Sequence, residues 1–136
     1  LKTYSVGATV TDTLGRPPTT ADISVLGQKL AWARNVQLDT RSQFNFTLTV
    51  PANADFDLYL YNSTGTWYGE PSIVAKSTSA AIGGKEQILV TPPYNGTYYL
   101  VVKRATASTA GGTFTLRSAK VGKPPSILDI YPDSTS

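Results

Sequence analysis

The chain of 136 residues contains no cysteine, no histidine and no methionine. Without cysteine, no disulfide pattern marks the cellular compartment. Without histidine, the commonest general base and metal ligand is missing, which excludes Ser-His-Asp and Cys-His catalysis within this chain. Without methionine, residue 1 is not an initiator, so we expect either a lost signal segment or excision from a longer polypeptide.

Charge and long apolar runs are also scarce. Charged residues make up 15% of the chain, and the formal net charge is only +3. Basic residues never cluster beyond the pair Lys103-Arg104, so we predict no nucleic-acid partner. No apolar run of about 18 residues occurs, so we predict no membrane span. Thr, Ser, Tyr, Val and Gly are abundant instead, which favours a single all-β domain.

Several segments alternate between apolar and polar residues with period 2, as strands with one buried face do. We predict strands at 3–12, 23–26, 29–38, 43–50, 55–61, 73–76, 86–91, 97–103 and 113–118. A short helix is the alternative at 29–38, because Ala31, Ala33 and Arg34 are good helix formers. Seven to nine short strands separated by turn signals predict an antiparallel β-sandwich of jelly-roll type, with little or no helix.

The two ends of the chain differ in composition from its middle. Gly122-Lys123-Pro124-Pro125 is typical of a stiff linker, and an apolar, β-prone segment follows at 126–131. We therefore predict one sandwich domain over residues 1–120 and a linker with a terminal strand or tail over 121–136. A free apolar strand must pair. The end segments, 3–12 and 126–131, either add an edge strand to their own sheet or join a neighbouring molecule's sheet, which would build an open filament.

Two carboxylates lie two residues apart on the predicted strand 55–61. Asp55 and Asp57 therefore point to the same face, with Cα atoms roughly 7 Å apart. Neighbouring carboxylates repel each other unless positive charge lies nearby. A hard cation such as calcium meets that need, with Glu86 or Glu70 as a further carboxylate ligand.

This acidic pair has two other interpretations. The first is a surface ion pair with a neighbouring cation, Lys85, Lys103 or Arg104. The second is a pair of glycosidase carboxylates. Such a pair flanks a cleft and holds one carboxyl in an apolar pocket that raises its pKa. Adjacent carboxylates on an exposed strand face lack that asymmetry, so we predict no enzyme activity.

Three of the five asparagines begin Asn-x-Ser/Thr acceptor sequences, namely Asn45, Asn62 and Asn95. Asn45 falls on the predicted solvent-facing side of strand 43–50, and the other two fall in predicted turns. They predict N-glycosylation and an extracellular or cell-surface location, against the alternative of chance in a Thr-rich chain.

Aromatic residues are placed where they can contact a partner. Tyr59, Tyr61 and Tyr99 alternate away from the predicted core, and Trp67-Tyr68 lies in a predicted loop. Cross-strand packing of the tyrosines is one interpretation. The other is a contact surface for a protein or a surface glycan, for which Trp67 and Tyr68 are the best candidates.

The order of these motifs resembles a known family. The chain carries Asp-Phe-Asp-Leu-Tyr-Leu-Tyr at 55–61, a polar loop, a strand led by Glu86, Gly-Thr-Tyr-Tyr-Leu-Val-Val at 96–102, and Gly-Thr-Phe-Thr-Leu at 112–116. Over roughly residues 40–118, this resembles the bacterial and archaeal pre-peptidase C-terminal (PPC) domain. The resemblance implies a small β-sandwich attached to secreted proteases and surface proteins. It also implies a calcium site at acidic positions matched directly by Asp55 and Asp57, and less directly by Glu86.

Together these observations predict a non-catalytic secreted or cell-surface module with an accessory or binding role, stabilised by calcium and N-glycosylated. Its expected partners are domains of a parent chain, copies of itself or a surface glycan. The alternative function is a self-assembling extracellular filament or surface-layer subunit, joined by donation of a terminal strand.

Overall fold

The predicted β-sandwich is the architecture of the chain. A computed structural model describes residues 2–15, 31–65, 71–79, 82–105 and 111–122. All regular secondary structure in these ranges is β-strand, and the strands form two sheets around one core. The prediction of an all-β, largely antiparallel sandwich is therefore confirmed. Within the described ranges, no helix is long or apolar enough to cross a membrane.

Nine strands are described, and their bounds follow in chain order. They are β1 (Thr3–Tyr4), β2 (Val10–Leu14), β3 (Ala31–Leu38), β4 (Ser42–Thr49), β5 (Phe56–Gly65), β6 (Pro71–Ser77), β7 (Glu86–Val90), β8 (Gly96–Arg104) and β9 (Gly112–Gly122). The five-stranded sheet has the order β1-β3-β8-β5-β6, and the four-stranded sheet has the order β2-β9-β4-β7. The described strands all pair antiparallel except for the short parallel pair of β1 and β3.

The core follows the period-2 pattern. Alternate residues of each central strand are fully buried, for example Phe56, Leu58 and Leu60 of β5, all 0% exposed. Each such side chain stabilises the fold by about 1.5–3 kcal/mol relative to exposure. Trp32 packs edge-to-face on Phe114 with ring centroids 6.0 Å apart. This burial also makes the helical alternative for 29–38 wrong, because the buried face of β3 outweighs the helix propensity of its alanines.

The prediction of one strand at 3–12 is wrong. The segment forms two short strands, β1 and β2, which belong to opposite sheets. Between them the Ala8 amide donates to the Ser5 carbonyl (3.0 Å), and Gly7 adopts a φ of 97°. A positive φ at the third position of a turn requires glycine in practice. The alternation of apolar and polar residues continues through the turn, so the sequence pattern does not show that the chain crosses from one sheet to the other here.

The turn predicted after residue 61 is also wrong. Strand β5 continues to Gly65, and its register against β6 shifts on both sides of Tyr61. Such irregularities let a strand pass through turn-type residues without ending. Strand β9 is likewise longer than the predicted 113–118 and ends at Gly122. The predicted strand 23–26, the Trp67-Tyr68 loop and the segment 126–131 lie outside the described residues.

The N-terminal segment pairs within its own chain. β1 pairs with β3, and β2 pairs with β9 over five residue positions. Tyr4 is 3% exposed, and its hydroxyl donates to the Ala8 carbonyl and shares a hydrogen bond with Ser118 of β9. This segment was expected either to pair within its own chain or to join a neighbouring molecule's sheet, and the structure shows the intramolecular pairing.

Candidate metal centre

Three carboxylates carried by elements of the two sheets converge. Asp55 precedes β5, Asp57 is the second residue of β5, and Glu86 is the first residue of β7. Strand β5 belongs to the five-stranded sheet, and β7 belongs to the four-stranded sheet. One carboxylate oxygen from each residue lies within 4.8 Å of the other two. The residues are 6%, 9% and 0% exposed, respectively.

Two loops hold this cluster together. The Gly83 amide donates to the Ala54 carbonyl (2.7 Å), which ties the loop before β7 to the loop before β5. Gly83 has a φ of 72°, and a Cβ there would lie 2.9 Å from the Ala52 carbonyl oxygen. The Ala105 amide donates to the Asp55 carbonyl (2.8 Å) from the end of β8. The backbone therefore fixes Asp55 and Glu86 side by side.

The carboxylate oxygens have unequal hydrogen bonding. Glu86 Oε1 accepts hydrogen bonds from the Ser77 hydroxyl (2.6 Å) and the Ser79 amide (3.0 Å). Asp57 Oδ1 and Glu86 Oε2 are buried and have no hydrogen-bond partner among the described residues. Burying a charged oxygen without a partner is costly, so such oxygens either bind a cation or take up a proton.

The pKa of Asp57 reflects this environment. The pKa of its carboxyl is raised to about 6, first by burial and then by the negative charges of Asp55 and Glu86. Lys103 opposes the shift. Without a cation, the cluster therefore holds its charge only at the cost of mutual repulsion.

The expectation of an exposed acidic face is wrong, because the pair is buried under the loops that carry Ala54 and Gly83. Of the cations named in the ion-pair alternative, Lys103 lies close enough to Asp57 for its charge to oppose the raised pKa. Lys103 Nζ donates to the Tyr61 hydroxyl (3.1 Å), and Lys85 is exposed. Arg104 Nε and Nη1 have no hydrogen-bond partner in the described part of the chain. Glu70 lies outside the described residues.

No pattern in the sequence points to the two serines that donate hydrogen bonds to Glu86. Ser77 ends β6 and Ser79 follows it, so both approach Glu86 across the short connection to β7. Nothing in the local sequence distinguishes them from the other serines of the chain. The family resemblance implied Glu86 as a less direct calcium ligand, and in the structure Glu86 lies with the two aspartates.

The three acceptor asparagines have different surroundings. Asn45 is half-buried on β4, and its Oδ1 accepts a hydrogen bond from Gln87 Nε2 (2.9 Å). Asn95 is exposed in the turn before β8, and its Oδ1 accepts from the Thr40 amide (2.8 Å). Asn62 lies within β5 rather than in the predicted turn, and its Oδ1 is buried.

Comparison with known proteins agrees with the fold. The PPC domain of a collagenase from Bacillus anthracis superposes with a TM-score of 0.59 at 12% identity, covering 87% of this chain and 93% of that chain. CorA, a surface-associated copper-binding protein of Methylomicrobium album BG8, gives a TM-score of 0.57 at 12% identity, covering 88% and 98%. No curated protein matches the chain. At this identity the two structures establish the fold alone.

The family match is more specific. Residues 27–104 match the bacterial pre-peptidase C-terminal domain, and this range includes the acidic strand, Glu86 and all of β8. The resemblance predicted from the sequence motifs is therefore confirmed, although its closing Gly-Thr-Phe-Thr-Leu motif lies beyond the matched range. Since the match spans more than half of the chain, the protein belongs to the bacterial pre-peptidase C-terminal domain family.

Proposed function

We propose that this domain is a non-catalytic accessory module of a secreted or cell-surface protein, stabilised by a calcium ion held by Asp55, Asp57 and Glu86. One observation carries the proposal: three buried carboxylates from the two sheets converge within 4.8 Å. A cation there would neutralise the cluster and tie the two sheets together. Because the ion would bind only the folded chain, its binding free energy would add to the stability of the domain.

The donor chemistry supports calcium. The three side chains offer only oxygen, which hard cations prefer. The chain contains no histidine, cysteine or methionine, which are the nitrogen and sulfur ligands typical of copper sites. CorA binds copper, but the donors of this cluster do not suit that ion. Calcium takes six to eight oxygens in flexible geometry, which a cluster of carboxylates and nearby backbone carbonyls suits better than the strict octahedron of magnesium.

The carboxylate cluster is buried from solvent, which fits an accessory role better than a catalytic one. Paired carboxylates that hydrolyse a substrate lie in a cleft that admits it. The carboxylates here are at most 9% exposed, and no cavity opens among the described residues. That space suits an ion better than a substrate.

Family membership and the acceptor asparagines support a secreted or cell-surface location. The family takes its name from its position in peptidase chains, so the first partner expected is the rest of a parent polypeptide. The filament alternative has lost one of its two donors, because the N-terminal segment pairs within its own sheets. Residues 124–136 are the remaining candidate donor.

The test is thermal unfolding in EDTA and in excess calcium. At a calcium concentration about 100 times Kd, binding adds about 2.7 kcal/mol, which raises Tm by roughly 5–15 °C for a domain of this size. Asp55→Asn plus Asp57→Asn should abolish this calcium response. Asp39→Asn is the matched control, because Asp39 is a surface carboxylate paired with Lys120 (3.1 Å).

The same experiment separates lost calcium binding from failed folding. In EDTA, the double variant should be at least as stable as the natural chain, because it removes the repulsion within the cluster. If the Tm of the natural chain is the same in EDTA and in excess calcium, the proposal is overturned. A double variant with an undiminished calcium response would do the same.

A further inference from the structure

The outer faces of the two sheets differ in chemistry. On β5 and β8, residues 56, 58 and 60 and residues 98, 100 and 102 enter the core, so the residues between them face outward. The outward residues of the four-stranded sheet include no aromatic side chain among those described; besides the exposed Leu89 and Val121 they include six threonines, Thr11, Thr13, Thr47, Thr49, Thr113 and Thr115. The outward residues of the five-stranded sheet include aromatic, aliphatic and basic side chains, which we call the tyrosine face: Tyr59, Tyr61, Ile73, Lys76, Tyr99, Val101 and Lys103.

Strand pairing assembles the tyrosine face into rows. Tyr61 pairs with Ile73 of β6 on one side and with Tyr99 of β8 on the other. Tyr59 pairs with Lys76 and Val101 in the same way. Ile73 is 50% exposed, whereas Val101 faces outward and is only 8% exposed. An apolar and aromatic surface therefore stands where a sandwich sheet usually presents polar side chains.

The rings and the lysine form one ordered group. Tyr59 and Tyr61 stack with centroids 5.7 Å apart and ring planes 13° apart. Lys103 Nζ lies 4.8 Å from the Tyr59 centroid and 5.6 Å from that of Tyr61, and donates to the Tyr61 hydroxyl (3.1 Å). The cation–π contacts hold an exposed ammonium over the two parallel rings. This arrangement places a positive charge next to a flat apolar platform before any ligand arrives.

Among the described residues, the exposed charges of this face are both positive. Lys76 and Lys103 are both exposed. The carboxylate in register with Lys103 is Asp57, which is 9% exposed and belongs to the buried cluster. The tyrosine face is therefore complementary to an anionic partner.

We propose that the tyrosine face binds an acidic polysaccharide, a glycan whose sugar rings carry carboxylate or sulfate groups. The C–H face of a sugar ring packs on the stacked tyrosines, while its acidic group pairs with Lys103 or Lys76. An acidic peptide matches the charge but supplies no flat apolar unit to each ring, and a neutral glycan leaves the lysines unused. The proposal builds on the accessory role, and its ligand contacts do not include the carboxylates of the calcium site, although Asp57 is in register with Lys103.

The experiment is affinity electrophoresis or calorimetry at fixed ionic strength in EDTA, with polygalacturonate and heparin as acidic probes. Dextran serves as the neutral probe and poly-glutamate as the polyanion without sugar. Tyr59→Ala plus Tyr61→Ala should weaken binding of the acidic glycans about 10-fold or more. Lys103→Gln should weaken it several-fold. Arg117→Gln, an exposed cation on the opposite sheet, is the matched control and should change it less than about twofold.

Other outcomes overturn the proposal. If poly-glutamate binds as tightly as the acidic glycans, and the double tyrosine substitution does not weaken its binding, the face is a general anion exchanger. If dextran binds as tightly as the acidic glycans, and Lys103→Gln does not weaken its binding, the acidic groups of the glycan are not required. If the double tyrosine variant does not fold, Lys103→Glu takes its place, and unchanged glycan binding then refutes the proposal. Asp55→Asn plus Asp57→Asn should retain glycan binding. The calcium proposal and this one can therefore fail separately.

Discussion

Asp57 shares its cluster with Asp55 and Glu86, and burial together with these negative neighbours raises the pKa of its carboxyl to about 6. An unfolded chain holds the same carboxyl near its ordinary value, about 3.9. The folded state therefore binds this proton more tightly than the unfolded state does. The resulting stability is fully present below about pH 4 and is lost as the pH rises through about 6.

This sign gives a prediction for the metal-free protein. In EDTA, the natural chain should lose about 1–3 kcal/mol of unfolding free energy relative to Asp57→Asn between pH 4 and pH 7. Urea denaturation of both proteins across this range measures the difference. In excess calcium the sign should reverse, because protons then compete with the ion for the carboxylates. Parallel curves for the two proteins in EDTA would contradict the assigned pKa shift.

Asp39 provides the comparison of opposite sign. Its pKa is lowered, first by the hydrogen bond from the Arg41 amide and then by Lys120. Any stability that it contributes is present above its ordinary pKa and is lost in acid. Two aspartates in one chain thus respond to pH in opposite directions, because one lies in a buried acidic cluster and the other beside hydrogen-bond donors and a cation.

At the scale of elements, the crossing between β1 and β2 depends on a single backbone conformation. Gly7 has a φ of 97°, and the Gly7 amide donates to the Ser118 hydroxyl (2.9 Å). A Cβ added at Gly7 would contact nothing within 4 Å, and the same is true at Gly122, where the φ is not of this kind. The two glycines therefore differ in backbone conformation and not in available space.

We predict that Gly7→Ala destabilises the domain by about 1–2 kcal/mol, because an L-residue is strained at this φ. Gly122→Ala, the matched control, should be neutral or slightly stabilising, because it restricts the unfolded chain without strain. Chemical denaturation of both variants gives the comparison. Equal effects would show that the crossing does not require the left-handed conformation.

The elements that the sequence predicted well are those with sustained period-2 burial. Strands β4, β5 and β8 were located within a few residues, because each carries at least three apolar side chains on one face. The β1–β2 segment and the end of β5 were predicted wrongly. In both places the chain changes its sheet or register while the alternation of side chains continues.

For the whole molecule, the fold places three acceptor sequences of the same Asn-x-Thr type in different environments. Asn95 is exposed in a turn, Asn45 is half-buried on a sheet face, and Asn62 has a buried Oδ1 beside Ser63, whose amide donates to the Tyr94 hydroxyl (3.1 Å). A glycan on Asn62 would have to displace buried structure, whereas one on Asn95 would stand in solvent.

We therefore predict glycan occupancy in the order Asn95, then Asn45, then Asn62, when the folded domain passes through a glycosylating host. Glycopeptide mass spectrometry measures the three occupancies in one sample. Asn95→Gln should remove most of the attached glycan and leave thermal stability nearly unchanged. High occupancy at Asn62 in the folded, natural chain would contradict this ranking.

The sequence alone determined the fold class and the core of this protein, because burial imposes a period on each strand that can be counted without coordinates. It also determined the absence of histidine and thiol chemistry, since composition settles that directly. Only the tertiary structure decided that Asp55, Asp57 and Glu86 are buried together, because loops before two strands of different sheets bring them into contact. It likewise decided that Lys103 lies over two tyrosines, because cross-strand register sets neighbours that sequence distance does not.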